Sequence, residues 1–164
     1  LTHEEISFRS VRPMPEDFSA RFSAVMREYR YYICTDVAAP LLMEKFCWHL
    51  GKPLDVEAMK QASTHLLGEH DFKSFCSSRS QVENTFRTIT DITIDKVGDM
   101  IHIRISGNGF LYNMVRIIVG TLMKIGLGIW PEDCMESILA AKDRTKAGPK
   151  AEAKGLTLVE IKYL

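Results

Sequence analysis

The chain has 164 residues, 46% of them apolar, which suits one domain spanning residues 1–164 around one well-filled core better than two. Its 21 basic residues are balanced by 21 acidic ones, so no long-range field draws in an anionic partner, and any such partner must be met by local clusters. The 4 cysteines, Cys34, Cys47, Cys76 and Cys134, have no CxxC or Cys/His spacing, which argues against a zinc motif or a disulfide framework and for reduced thiols in the cytoplasm.

No signal peptide is read, and no membrane span, because Asn113, Arg116 and Lys124 interrupt the longest apolar run. The chain opens at Leu1 without a methionine, as expected of a processed or truncated piece. Ile6 to Val11 reads as a short strand, broken by Pro13 and Pro15. Ser23 to Thr35 is rich in β-branched and aromatic residues and predicts a long strand, with Val25, Arg27, Tyr29, Tyr31 and Ile33 on one face and Met26, Glu28, Arg30, Tyr32 and Cys34 on the other. Ala38 to Pro53 is irregular or a short strand anchored by Trp48. Asp55 predicts the N-cap of a helix reaching about Leu67, with Gly68 as its stop. Ser77-Ser78-Arg79-Ser80-Gln81 is loop-like. Phe86 to Lys96 and Met100 to Ser106 form a hairpin about Val97-Gly98-Asp99, with Ile101, Ile103 and Ile105 inward and His102 and Arg104 outward.

After the Gly107-Asn108-Gly109 turn, a helix is predicted whose residues Met114, Ile117, Ile118, Leu122 and Ile125 follow helical spacing while Leu111, Val115 and Val119 fill a second face. Its remaining stripe is Tyr112, Asn113, Arg116 and Gly120. A guanidinium cannot shed its proton, so Arg116 either reaches solvent or is held for an anion. Trp130-Pro131-Glu132-Asp133 opens another helix, ending near Lys142. Asp143 to Gly155 reads as a mobile basic loop, and Thr157 to Tyr163 as a closing strand. Without strict βαβ alternation the fold class is α+β: a mostly antiparallel or mixed sheet with helices on one face.

Three features could carry chemistry. Tyr29 and Tyr31 lie about 7 Å apart along one strand face, behind Arg27, which is either a stacking surface for unpaired bases or ordinary cross-strand packing. The basic stretch from Arg144 to Lys154 is either a phosphate contact or a solvated loop. His3, His49, His65, His70 and His102 lack ligand spacing, so no metal is expected, and no nucleophile or phosphate-loop motif is present. By themselves these residues define no reaction.

Five segments occur in order: Asp17-Phe18-Ser19-Ala20-Arg21-Phe22-Ser23-Ala24, Arg27-Glu28-Tyr29-Arg30-Tyr31, Gly68-Glu69-His70-Asp71-Phe72-Lys73-Ser74-Phe75, Asn108-Gly109-Phe110-Leu111-Tyr112-Asn113-Met114-Val115-Arg116, and Ala140-Ala141-Lys142-Asp143-Arg144 through Ala153-Lys154-Gly155-Leu156. Together they resemble the TruA-type tRNA pseudouridine synthases over nearly the whole chain. The resemblance implies half of a pseudouridine synthase catalytic fold, uridine-to-pseudouridine isomerisation in the anticodon stem and loop of tRNA, no cofactor, and a homodimer with a basic RNA cleft. It also implies that Tyr29 contacts the target uridine and that Arg116 pairs with a catalytic aspartate. The family's Gly-Arg-Thr-Asp motif bearing that nucleophile is not found here, so the chain is expected to be a carboxy-terminal portion, inactive alone. Tyr31, Arg21, Arg27, Arg104 and Arg144 are the expected substrate contacts. A non-catalytic RNA-binding sheet and a dimerisation domain remain open as alternatives.

Overall fold

The computed structural model describes residues 6–78 and 82–163. Its strands are β1 (Ala24–Cys34), β2 (Trp48–His49), β3 (Gly68–Asp71), β4 (Phe86–Val97), β5 (Met100–Gly107) and β6 (Leu156–Tyr163). The helices are α1 (Val56–Thr64), α2 (Met114–Gly126) and α3 (Cys134–Ala141), with short 3-10 turns at Phe72–Phe75, Arg144–Lys146 and Ala153–Gly155. They form one six-stranded sheet in the order β2-β1-β5-β4-β3, with β6 also on β1. Since β5 occupies one edge of β1, the other edge is shared. There β6 pairs antiparallel with Ala24 to Tyr31, and β2 runs parallel beside Ile33 and Cys34.

Alternation decides which face the helices cover. Tyr31 and Ile33 from β1 and Ile101, Ile103 and Ile105 from β5 are buried with Met114, Ile117, Ile118 and Leu122 of α2 in one core. Arg30, Tyr32, His102 and Arg104 point to the other, open face. In β4 the pairing slips between Ile89 and Asp91, leaving Thr90 as an extra residue. That bulge puts Ile89 on the same side as Ile92 and Ile94 although their spacing is odd.

The predicted α+β class with helices on one face is the fold observed. Several elements differ from expectation. Ile6 to Val11 is exposed and pairs with no strand among the described residues, since each apolar side chain there lacks a covering layer. Helix α1 keeps its cap, Asp55 accepting from the Ala58 amide at 3.0 Å, but ends at Thr64. Gly68, at φ 93°, then opens β3, a strand too polar to be read from pattern. Helix α3 starts at Cys134, because Pro131 sits in a preceding turn whose carbonyl accepts from the Cys134 amide. Lys142 is its left-handed cap, not part of its last turn.

The largest correction concerns residues 143–155. They do not form a loose solvated loop but cross α2, where Ala147 and Ala151 are buried and the Gly148 amide donates to Thr121 Oγ1 at 2.9 Å. Gly120 is the crossing point: a Cβ there would fall on the Pro149 carbonyl. His3 and Arg79-Ser80-Gln81 lie outside the described residues.

Candidate functional site

Where β1 and β4 begin and β5 ends beside the start of α2, rings and guanidinium groups gather on the helix-covered side. Tyr29 is half-buried on β1, and Phe110 meets it edge-on with ring centroids 5.2 Å apart. No group among the described residues hydrogen-bonds the Tyr29 hydroxyl. Arg116 lies on the first turns of α2, also half-buried. Its Nε donates to the Ala151 carbonyl at 2.7 Å and its Nη1 to Asn113 Oδ1 at 3.4 Å. The Ala151 amide in turn donates to the Arg116 carbonyl at 3.0 Å, so the crossing segment aims this side chain. Asn113 adopts the left-handed conformation at φ 62° to begin the helix, which an asparagine tolerates better than most residues.

Tyr31 lies beside these groups yet is wholly enclosed. Its hydroxyl donates to the Glu152 carbonyl at 2.6 Å, and Gly155 leaves room for its ring. Burial pushes its phenol pKa up, with the nearby Arg116 charge acting in the opposite sense. The expectation that Tyr29 and Tyr31 present two rings to a ligand therefore fails for Tyr31, which is a core residue.

The expected cations are divided. Arg27 donates through Nη1 to the carbonyls of Ala24 at 2.9 Å and Asn108 at 2.6 Å, and through Nη2 to that of Arg21. It fastens the start of β1 to the turn that carries Phe110. Arg21 itself is exposed, its guanidinium 5.3 Å over the Phe22 ring. Arg144 contributes to a cavity of about 350 Å³ with Lys73, Ser77, Ser78 and Asp143. That cavity adjoins the site through the Ser77 amide, which donates to the Tyr112 carbonyl at 3.0 Å. Arg104 is not part of this assembly. It lies on the open face, paired with Asp91 at 2.8 Å.

Sequence reading missed Phe110 and Arg87. Straight alternation back from Ile94 and Ile92 buries Phe86 and turns Arg87 outward. The bulge at Thr90 reverses that phase, so Phe86 is exposed and Arg87 half-buried on the inner side. The contact of Arg116 with Ala151 was equally hidden, because a backbone carbonyl carries no sequence signal.

Fold and site together define an α+β protein that holds an aromatic ring among arginines tied to backbone oxygens, with no carboxylate pairing Arg27, Arg87 or Arg116 among the described residues. Within that class, the family profile for tRNA pseudouridine synthase matches residues 62–164, and the chain belongs to that family. It is 46% identical over 160 residues to tRNA pseudouridine synthase A of Brevibacillus brevis, covering 98% of this chain and 66% of that protein. The same identity and coverage hold for tRNA pseudouridine synthase A of Thermoanaerobacter sp. strain X514. The Bacillus subtilis protein of that name is 40% identical over 163 residues, 99% of this chain and 66% of the relative. The chain thus spans just under two thirds of the length of these relatives. No helix among the described residues is long and apolar enough to cross a membrane.

Proposed function

We propose that this chain is the substrate-holding part of an enzyme that isomerises uridine to pseudouridine in the anticodon stem and loop of tRNA, without cofactor, as a cytoplasmic homodimer. The observation that carries the reading is Arg116. Its guanidinium is half-buried and fixed by carbonyl oxygens, which orient it without neutralising it. A carboxylate delivered from elsewhere in the polypeptide would find a prepared fork, and bidentate pairing would keep that acid ionised and aimed, as a nucleophile requires. Lysine cannot reproduce the fork.

The isomerisation breaks the bond from the ribose C1′ to uracil N1, turns the base, joins C1′ to C5, and moves the C5 proton away while N1 gains one. Tyr29 suits this sequence. Its ring is pre-set by Phe110 to hold a base flat, and its free hydroxyl is the group within the site able to take part in the C5 proton transfer. Arg21, Arg27 and Arg144 surround the same end of the sheet and support phosphate contacts, while Tyr31 acts from the core. The test is pseudouridine formation on transcribed tRNA by this chain alone and together with the remaining part of the polypeptide supplied separately. Activity is expected only with both. Turnover by the 164-residue chain alone would overturn the reading, because it would require a nucleophile among the residues described.

A further inference from the structure

Arg87 is used by neither the core nor the reaction as derived above. It stands on β4 opposite His70 of β3, two residues before Ile89 pairs with Gly107 of β5. Beyond Gly107 the chain leaves the sheet through Asn108 and Gly109. This turn is bracketed by two arginines. On one side Arg27 faces Gly107 in register and donates to the Asn108 carbonyl. On the other, a Cβ on Gly109 would lie 3.5 Å from Cδ and Nε of Arg87, an ordinary van der Waals distance, so the turn packs directly beside that side chain.

Like Arg27 and Arg116, Arg87 is held by carbonyls and not by an acid. Its Nη1 donates to the Asn84 carbonyl at 3.0 Å and to the Phe86 carbonyl, leaving Nε and Nη2 without a partner among the described residues. The groups that act on its charge are the Cys76 thiol and Arg27, and burial first of all disfavours the charged form. A half-buried guanidinium beside a second one, with no carboxylate, is strained electrostatically until an anion arrives. Phe110, the next residue but two after Gly107, leads from this pair directly to the Tyr29 ring.

The geometry points to a phosphate site built by Arg87 with Arg27 across the Gly107-Asn108-Gly109 turn, which grips the RNA backbone at a linkage flanking the nucleotide held at Tyr29. This rests on the uridine-isomerising reading above and assigns a substrate contact within it. Arg27 contributes charge and fixes the turn. Arg87, with two free nitrogen positions in a fork, makes the contact.

The experiment uses the complete polypeptide and a set of anticodon stem-loop RNAs, each carrying one neutral methylphosphonate at a different linkage near the target uridine. Wild type is expected to lose about tenfold in affinity at one such linkage. Arg87→Gln is expected to lose about tenfold on unmodified RNA, to lower the salt slope by about 0.7, and to show no further loss at that same linkage. Arg87→Lys, which keeps the charge without the fork, should show a smaller loss and retain part of the sensitivity. Mere structural damage would weaken binding to every RNA alike and leave the sensitive linkage sensitive, and that result would overturn the assignment. So would unchanged affinity and salt slope in Arg87→Gln. A wild-type protein that binds none of the RNAs would overturn the parent reading instead, which separates the two failures.

Discussion

The two faces of one sheet handle arginine in opposite ways. On the open face Arg30 pairs with Glu28 at 3.0 Å and Arg104 with Asp91 at 2.8 Å, beside the edge-on pair of Tyr32 and His102. Each charge there is cancelled by a neighbour on the same or an adjacent strand. On the helix-covered face Arg27, Arg87 and Arg116 are tied to carbonyl oxygens. A carbonyl dipole fixes a guanidinium in place but leaves its unit charge intact, whereas a carboxylate removes it. The first face is finished as it stands; the second keeps its cationic charge unneutralised, as the proposed RNA contacts require.

Substitutions that exchange these roles test the contrast. Arg116→Lys should lower pseudouridine formation by about 10²- to 10³-fold while tRNA affinity changes little, because a point charge cannot replace the fork at a developing ionic pair. Single-turnover assays with filter binding would show this, and equal losses in both would make Arg116 an RNA contact instead. Gly120→Ala should cost about 3 kcal/mol, since the new methyl meets the Pro149 carbonyl and displaces the segment that aims Arg116. Urea unfolding measures it, and a neutral result would mean the crossing can shift freely.

Tyr31→Phe leaves the Glu152 carbonyl without its donor and should cost about 1–2 kcal/mol of stability with no change in tRNA affinity. A selective loss of binding would restore Tyr31 as a contact. Asp71 sharpens the comparison through pH. Burial acts to raise its pKa but is outweighed by hydrogen bonds from Thr85, Lys142 and the Lys73 amide, so the carboxyl sits below its usual range. A depressed folded pKa contributes stability that is present above the unfolded value and lost as pH falls through the folded one. The stability gap between wild type and Asp71→Asn should therefore hold from neutral pH down to about 4 and close below it, as thermal melts across pH would reveal. Least affected should be Arg104→Gln, a loss below about 1 kcal/mol with an unchanged salt slope for tRNA, given its exposed partner on the finished face.

By itself, the sequence determined the long β1 strand, the β4–β5 hairpin, the enclosed α2 and the α+β class, because side-chain periodicity reports which face of each element is buried. It also singled out Arg116 as a charge on the first turns of an apolar helix, and motif order led to the pseudouridine synthase family. Only the tertiary structure decided what those residues touch. That Pro149 is the backbone lying on Gly120, that Ala151 holds Arg116, and that Tyr31 is sealed while Tyr29 keeps a free hydroxyl depend on a segment crossing from far along the chain. The inward turn of Arg87 depends on a single extra residue at Thr90, inside a strand that reads as regular. Periodicity is a local signal that one bulge inverts, and backbone oxygens, which do most of the positioning here, have no letter in the sequence.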